Sequence, residues 1–313
     1  MKPLNLVPIK PNLNFVGRKS IYFVFSAILV VFAIGIFLSR GLNFGIDFQG
    51  GILIEVRMSE GGKLSDMRTN LSNLGLGEVA LQEFGQPTDI LIRIQKQEGG
   101  EKAQQVAVDK VKTALGEGVN YRRTEFVGPQ VSRELFRDGV IAVLLAMFGI
   151  LAYIWFRFEW QFGLGAIIAL LHDVITTIGI FALTGMEFNL STVAAILTIA
   201  GYSINDTVVV YDRVRENLRK YKTMPLPELL NNSINETLSR TVMTSLTTML
   251  ALLSLYILGG EVIRGFSFAL IWGVVIGTYS SICVAVPLLL YLNVNRGVRT
   301  SSSGHGEQAE PAE

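Results

Sequence analysis

The chain has 313 residues, of which 50% are hydrophobic and 17% charged, with a formal net charge of +1 and a mean hydropathy of +0.43. Soluble domains carry roughly a quarter charged residues, and here the apolar residues are gathered in long blocks, which excludes an ordinary soluble enzyme and a disordered chain. The near-neutral balance gives no footing for nucleic acid. The single cysteine, Cys283, permits no intrachain disulfide, and with His172 and His305 as the only histidines the chain cannot build a His/Cys zinc site.

Residues 1–20 hold Lys2, Lys10, Arg18 and Lys19 and no acid. They lead into the first apolar run, Ile21–Leu38, which is too long for the roughly 7–15 residues of a signal-peptide core and lacks a small-residue cleavage site. It reads as an uncleaved membrane anchor.

The connection over residues 41–138 reads as a folded α+β unit. Ile52, Ile54, Val56 and Met58 alternate as in a half-buried strand, and Leu64, Met67, Leu71 and Leu74 recur at helical spacing. Val79 and Leu81, then Ile90, Ile92 and Ile94, alternate again around a turn signal at Gly85–Pro87. Ala107, Val108, Val111, Ala114 and Leu115 form a second helical face. A last strand over Tyr121–Val127 carries Arg122, Arg123 and Glu125, the charges that protect an edge. The order β-α-β-β-α-β is the ferredoxin-like pattern. The unit has no catalytic constellation, and Gly61-Gly62-Lys63 lacks the rest of a phosphate-binding loop.

Five further apolar runs follow, at Gly139–Phe156, Phe162–Leu183, Leu190–Val210, Thr241–Leu258 and Phe266–Leu292, each long enough for a bilayer that takes about 17–25 helical residues. A connection over residues 211–239 separates the fourth and fifth spans, with a short amphipathic helix expected from Pro227 to lie at the membrane surface through Leu229, Leu230 and Ile234. A tail over residues 293–313 ends the chain, Ser/Gly/Glu-rich and expected to be disordered from Thr300. Lys and Arg are concentrated in the N-terminal segment, the 211–239 connection and the tail. The positive-inside rule therefore puts both termini in the cytoplasm and the α+β unit outside.

Ionisable groups inside spans are costly, which makes them candidates for function. The fourth span carries Asp206 among Tyr202, Ser203, Asn205 and Thr207, and the fifth opens on Arg240, with Thr244, Thr247 and Thr248 on the same face. Counting helical rise, Asp206 lies about 24 Å from the outer end of its span, at a depth Arg240 can share. An Asp206–Arg240 pair is expected, either as a proton-coupling switch or as a static ion pair, with these polar positions lining the bundle interior. His172 and Asp173 sit in the third span. As neighbours on a helix they point apart, so no ready dyad is expected; His172 reads as a packing residue, and Asp173 as a partner for Thr176 or Thr177. Asp212 and Arg213 read as interfacial. Gly273 and Gly277, extended by Ser281, allow close helix approach, and Pro287 predicts a bend.

The run Gly45–Gly51 (GIDFQGG), Val127-Gly128-Pro129, His172-Asp173, the long run Leu197–Asn217 (LTIAGYSINDTVVVYDRVREN) and Ser239–Ser245 (SRTVMTS) occur in order and in the right topology. Through them the chain resembles the SecD/SecF protein-export family of the RND superfamily over about residues 14–293. The resemblance implies a six-helix RND-type half-bundle with a ferredoxin-like extracytoplasmic domain in a bacterial inner membrane, completed by SecD as the other half. It implies assistance to an unfolded translocating polypeptide, driven by protons, beside the SecYEG channel and SecA. Asp206 and Arg240 match the family positions associated with proton coupling. Other readings stay open on the residues alone: an RND-type small-molecule or lipid exporter subunit, a non-coupling membrane scaffold, or an intramembrane protease using Asp173 and Asp206, although the G-x-G-D context of that last class is absent.

Overall fold

The computed structural model describes residues 11–58, 64–77, 79–84, 86–116, 119–260, 263–292 and 294. The expectations on Gly61–Lys63 and on the tail from Thr300 lie outside the described residues.

A 3₁₀ turn at Val16–Arg18 leads into α1 (Lys19–Arg40). Next come β1 (Asn43–Phe44), α2 (Ile46–Gln49), β2 (Gly51–Met58), α3 (Leu64–Ser72), β3 (Val79–Phe84), β4 (Gln86–Ile94), α4 (Gly100–Leu115) and β5 (Val119–Val127). The remainder is α5 (Pro129–Arg157), α6 (Trp160–Thr184), β6 (Glu187–Phe188), α7 (Leu190–Lys220), α8 (Leu226–Leu258) and α9 (Arg264–Ser280), the last continued by short helical turns to Tyr291. Six of these helices are long and apolar enough to cross a membrane: α1, α5, α6, α7, α8 and α9 with its continuation. The protein is a helical membrane protein carrying one α/β domain.

In that domain the strand order is β3-β4-β2-β5, every neighbouring pair antiparallel. Each βαβ unit is split by a strand of the other. One sheet face buries Ile52, Ile54, Val56, Ile90, Ile92 and Ile94 against Met67 and Leu71 of α3 and Val108 and Val111 of α4. The charged strand β5 is an edge, as its composition predicts, and Arg123 pairs with Glu125 along it at 2.5 Å. At the start of β4, Asp89 is buried and accepts two hydrogen bonds from Arg57 at 2.5 Å, with Arg122 3.8 Å away.

Three helices are longer than their apolar runs predict. The second span starts at Pro129, directly after Gly128, because proline suits the first helical position. The 211–239 connection is no surface loop. Helices α7 and α8 continue through it as a hairpin, broken only at residues 221–225. Leu229, Leu230 and Ile234 pack on Tyr211, Val214 and Leu218 rather than on a membrane surface. Polar bonds stitch the hairpin: Arg213 to Glu236 at 2.6 Å, and Asn217 to Ser233 at 3.0 Å and to Glu236 at 2.8 Å. The amphipathic stripe is satisfied by its neighbour helix, an outcome the same pattern allows.

The extended segment before α1 is fastened to this hairpin. Asn235 accepts from the Leu13 amide at 2.9 Å and donates to its carbonyl at 2.9 Å, and Asn231 accepts from the Phe15 amide at 2.8 Å.

Small residues set the tightest helix contact. A Cβ at Gly273 would run into Ile199, and one at Gly277 would press on Ser203 of α7. One turn on, Ser281 meets Thr207 at 2.8 Å. The Gly273–Gly277–Ser281 stripe thus has α7 as its partner. Pro287 acts upstream of itself: a π turn runs over Ser281–Ala285, and the Tyr211 hydroxyl donates to the Ala285 carbonyl at 3.0 Å. Proline removes an amide that would have closed the helix ladder, and a π turn is one way to absorb that loss.

Gly273→Val is expected to destabilise the detergent-solubilised protein by about 1–3 kcal/mol, read as an earlier thermal unfolding midpoint. The bond from Arg57 holds the Asp89 carboxyl below its ordinary value. Stability from this pair is therefore complete above the unfolded carboxylate range of about pH 4 and falls as pH drops through the depressed native value. Amide exchange of β2 and β4, corrected for intrinsic rates, should rise on acidification below about pH 4 in the parent and lose that step in Asp89→Asn.

Candidate functional site

Two carboxylates lie inside the bundle, and a single turn of α7 reaches both. Asp173 of α6 is fully buried. Its Oδ2 accepts hydrogen bonds from Ser203 of α7 at 2.5 Å and from Ser280 of α9 at 2.7 Å, and its Oδ1 lies 2.9 Å from His172 Nδ1. The expectation that His172 and Asp173 point apart is corrected here: their backbone positions diverge, yet both side chains turn into the same interior and meet. Thr176 and Thr177 bond the Asp173 backbone carbonyl, at 3.1 and 2.7 Å, and not its carboxylate. Hydroxyls at i+3 and i+4 reach back to the carbonyl of their own helix, which competes with the side chain. His172 Nε2 is buried with no hydrogen-bond partner, and its ring lies 6.1 Å from Tyr279, which Ser26 and the Tyr22 carbonyl tie to α1 at 2.9 Å each.

Asp206 is one turn further along α7 and is also buried. Its Oδ1 accepts from Thr241 of α8 at 2.8 Å, while Oδ2 is buried without a hydrogen-bond partner. The expected ion pair with Arg240 is not formed: among the ion pairs of the described residues, none joins Arg240 to this carboxylate within 4.0 Å. Successive helical side chains diverge by about 100°, so the rotation of α8 that aims Thr241 at α7 turns Arg240 onto an open flank. Arg240 and Thr244 are exposed there, as Asn205 is on α7, and the Thr244 hydroxyl donates to the Arg240 carbonyl at 2.9 Å. These three residues do not line the interior of this chain. Tyr202 reaches α8 through Ser245 at 3.2 Å, and Ser245 continues to Thr278 of α9 at 2.7 Å.

Sequence reasoning missed Ser280, and read Ser281 only as a small residue of the packing stripe. The signal is the small-residue stripe itself, which ends on two hydroxyls, Ser280 on Asp173 and Ser281 on Thr207. It also missed how the glycine-rich run after α1 works. Gly50 and Gly51 have φ of +70° and +123°, and a Cβ on Gly51 would strike the Ile94 carbonyl. Glycine is therefore required where the chain turns into β2. Asp47 accepts from the Leu190 amide at 2.9 Å, at the first residue of α7, where a carboxylate also favours the helix dipole. Asn189 and Thr192 complete a capping box. β1 pairs in parallel with β6, and Arg93 donates to Asn43 at 2.9 Å and forms an ion pair with Glu187 at 2.5 Å. Phe44, Phe48, Phe136 and Phe188 pack edge to face or tilted below. The α/β domain is thus jointed to the start of α7. Among the described residues no cluster of three His, Cys, Asp or Glu could hold a metal ion.

Comparison with known proteins agrees with this layout. A family model described as protein export membrane protein SecD/SecF, C-terminal, matches residues 107–295, and the SecD/SecF GG motif matches residues 35–61, which include the glycine joint. A protein of Cereibacter sphaeroides named protein translocase subunit SecF is 47% identical, covering 97% of each chain. The protein of the same name from Rickettsia prowazekii is 45% identical over 97% of this chain and 99% of its own. The crystal structure of SecDF from Thermus thermophilus, titled a translocon-associated membrane protein, superposes with a TM-score of 0.83 at 37% identity. It covers 91% of this chain, which spans 39% of the SecDF chain. A SecDF structure in a super-membrane-facing form gives a TM-score of 0.67. With most of its length matched by family models and by relatives well above 30% identity, the chain belongs to the SecD/SecF family of protein-export membrane proteins.

Proposed function

We propose that this chain is the SecF-type subunit of a bacterial protein-export machinery and that, with a SecD-type partner, it converts the proton-motive force into assistance for polypeptide translocation. The names of its relatives support the export role. The observation that carries the coupling is the half-satisfied Asp206: one oxygen is held by Thr241, the other is buried without a donor, and Arg240, next to Thr241 in the chain, forms no ion pair with it. An oxygen with no donor has room for a proton, and an arginine one residue before Thr241 can approach or leave as the helices move.

The open flank bearing Asn205, Arg240 and Thr244 supports a second membrane half. Polar groups at that depth need protein or water rather than lipid, so a SecD-type half covering them completes the site. In the orientation proposed, both termini are cytoplasmic and the α/β domain is periplasmic, on the inner membrane. The SecYEG channel and SecA hand over the unfolded chain. A proton crossing about 100 mV releases about 2.3 kcal/mol and each pH unit adds about 1.4, so a few protons suffice to bias a domain motion. In this scheme Asp173, with three partners already in place, is an anchor that holds α6, α7 and α9 together with His172 and Ser203, and Tyr202 braces α7 on α8. The exporter reading gains nothing from the intramembrane cavity beneath the aromatic cluster: at about 180 Å³ it is smaller than the roughly 300–1,000 Å³ of small-molecule sites.

The test is gradient-dependent export in vesicles holding the complete machinery. Asp206→Asn and Arg240→Met should each abolish the gain produced by a proton gradient while partner assembly and gradient-independent export stay at parent level. Undiminished gain in both variants would leave a scaffold and sink the coupling scheme. Ser203→Ala and Ser280→Ala should behave differently. Each leaves a buried carboxylate short of a donor, lowering stability by about 1–3 kcal/mol, with the double variant non-additive because both hydroxyls serve one oxygen. Thermal unfolding of the four proteins in detergent measures this.

A further inference from the structure

At the end of the bundle opposite the α/β domain, a cleft of about 440 Å³ is lined entirely by charged side chains: Arg157, Asp212, Arg215, Glu216, Arg219 and Lys220. Both of its carboxylates are engaged. Arg157, the last residue of α5, donates to Asp212 at 3.0 and 3.3 Å, and Glu216 is taken by Arg213 at 2.7 Å. Arg215, Arg219 and Lys220 have no carboxylate within 4.0 Å among the described ion pairs. Arg215 donates instead to the Arg157 carbonyl at 3.4 Å, which aims its guanidinium at the turn between α5 and α6. The dipole at the end of α7 accounts for cations in its last turn, Arg219 and Lys220. It does not account for Arg215, a turn further in.

The level of the cleft follows from the same contacts. The Arg157–Asp212 bond sets Asp212 beside the end of the α5 span. That turn displays Trp155, Phe156 and Trp160 with exposures of 77%, 95% and 60%, the aromatic signature of a membrane–water boundary. At about 1.5 Å of rise per residue, Arg215 lies roughly 4–5 Å beyond Asp212 and Arg219 roughly 10 Å beyond. The headgroup layer is about 5–8 Å deep on each side. Arg215 therefore stands within it, and Arg219 and Lys220 start a few ångströms outside it, a gap their long side chains span by snorkelling. Guanidinium groups match phosphate oxygens in pairs, and the exposed rings beside them suit acyl chains.

We infer that this cleft is a binding site for the phosphate of an anionic phospholipid headgroup, held by Arg215 and Arg219 with Lys220 at its rim. The site lies away from Asp206 and stands apart from the coupling scheme.

Native mass spectrometry of the full chain, released from mild detergent, tests it with phosphatidylglycerol and phosphatidylcholine titrated separately. The parent should retain phosphatidylglycerol in preference to phosphatidylcholine. The triple variant Arg215→Gln, Arg219→Gln, Lys220→Gln should lose roughly tenfold or more of its phosphatidylglycerol affinity with phosphatidylcholine unchanged. A charge-matched control, Arg68→Gln, Lys102→Gln, Lys110→Gln in the α/β domain, should behave as the parent. Equal retention of the two lipids by the parent, or undiminished phosphatidylglycerol binding in the triple variant, overturns the assignment. Inorganic phosphate that displaces the lipid at comparable concentration overturns the lipid as the source.

Discussion

A carboxylate surrounded by hydrocarbon has to find its donors within the protein. Asp173 finds them on three different helices, from His172 beside it on α6, from Ser203 on α7 and from Ser280 on α9. Hydroxyls are short, so the helices that carry them must come close. The glycines of α9 permit that approach, and Ile199 and Ser203 occupy the space a larger side chain would need. Continuing the same contact to Thr207 and Ser281 brings it to the first residue of the π turn. One buried carboxyl group thereby accounts for the close approach of α7 and α9 and for the residue sizes along it, and the contact ends where Pro287 disturbs the regular helix.

Helix α7 is the element on which the other parts converge. Its first residue is held by Asp47 of the glycine joint, so it begins at the α/β domain. Its middle reaches Asp173 through Ser203 and Thr241 of α8 through Asp206, and its far end forms the hairpin with α8. The two acids differ in how completely they are served. Asp173 has a partner on each oxygen, whereas Asp206 has one on Oδ1 and none on Oδ2. Rigid anchoring and incomplete satisfaction one turn apart on a continuous helix are what a device needs if a local change of charge is to be felt at a distant domain, because a packed helix transmits displacement along its axis more readily than it bends.

Much of this arrangement is legible in the residues. The period-2 and period-3.6 patterns of the α/β unit give its strands and helices in the right order, and the charges of Arg122, Arg123 and Glu125 identify β5 as an edge. The six spans follow from apolar length. Legibility fails where the partner of a group is decided by tertiary placement. Arg240 and Thr241 are adjacent, and only the rotation of α8 selects Thr241 for Asp206. His172 and Asp173 diverge on a helical wheel yet meet because both side chains lean inward. The stripe of Leu229, Leu230 and Ile234 specifies an apolar neighbour without saying whether it is lipid or Tyr211, Val214 and Leu218. Asn205 and Thr244 look like interior positions by polarity, but the structure leaves both exposed.

The clasp between Leu13–Phe15 and the side-chain amides of Asn231 and Asn235 joins residues more than 200 positions apart. During synthesis the first span emerges long before α8 exists, so the backbone groups of this leading segment have to be served by water or by other proteins in the interval. Fastening of this leading segment therefore waits until the first turns of α8 have been synthesised, which makes it a late event of chain elongation.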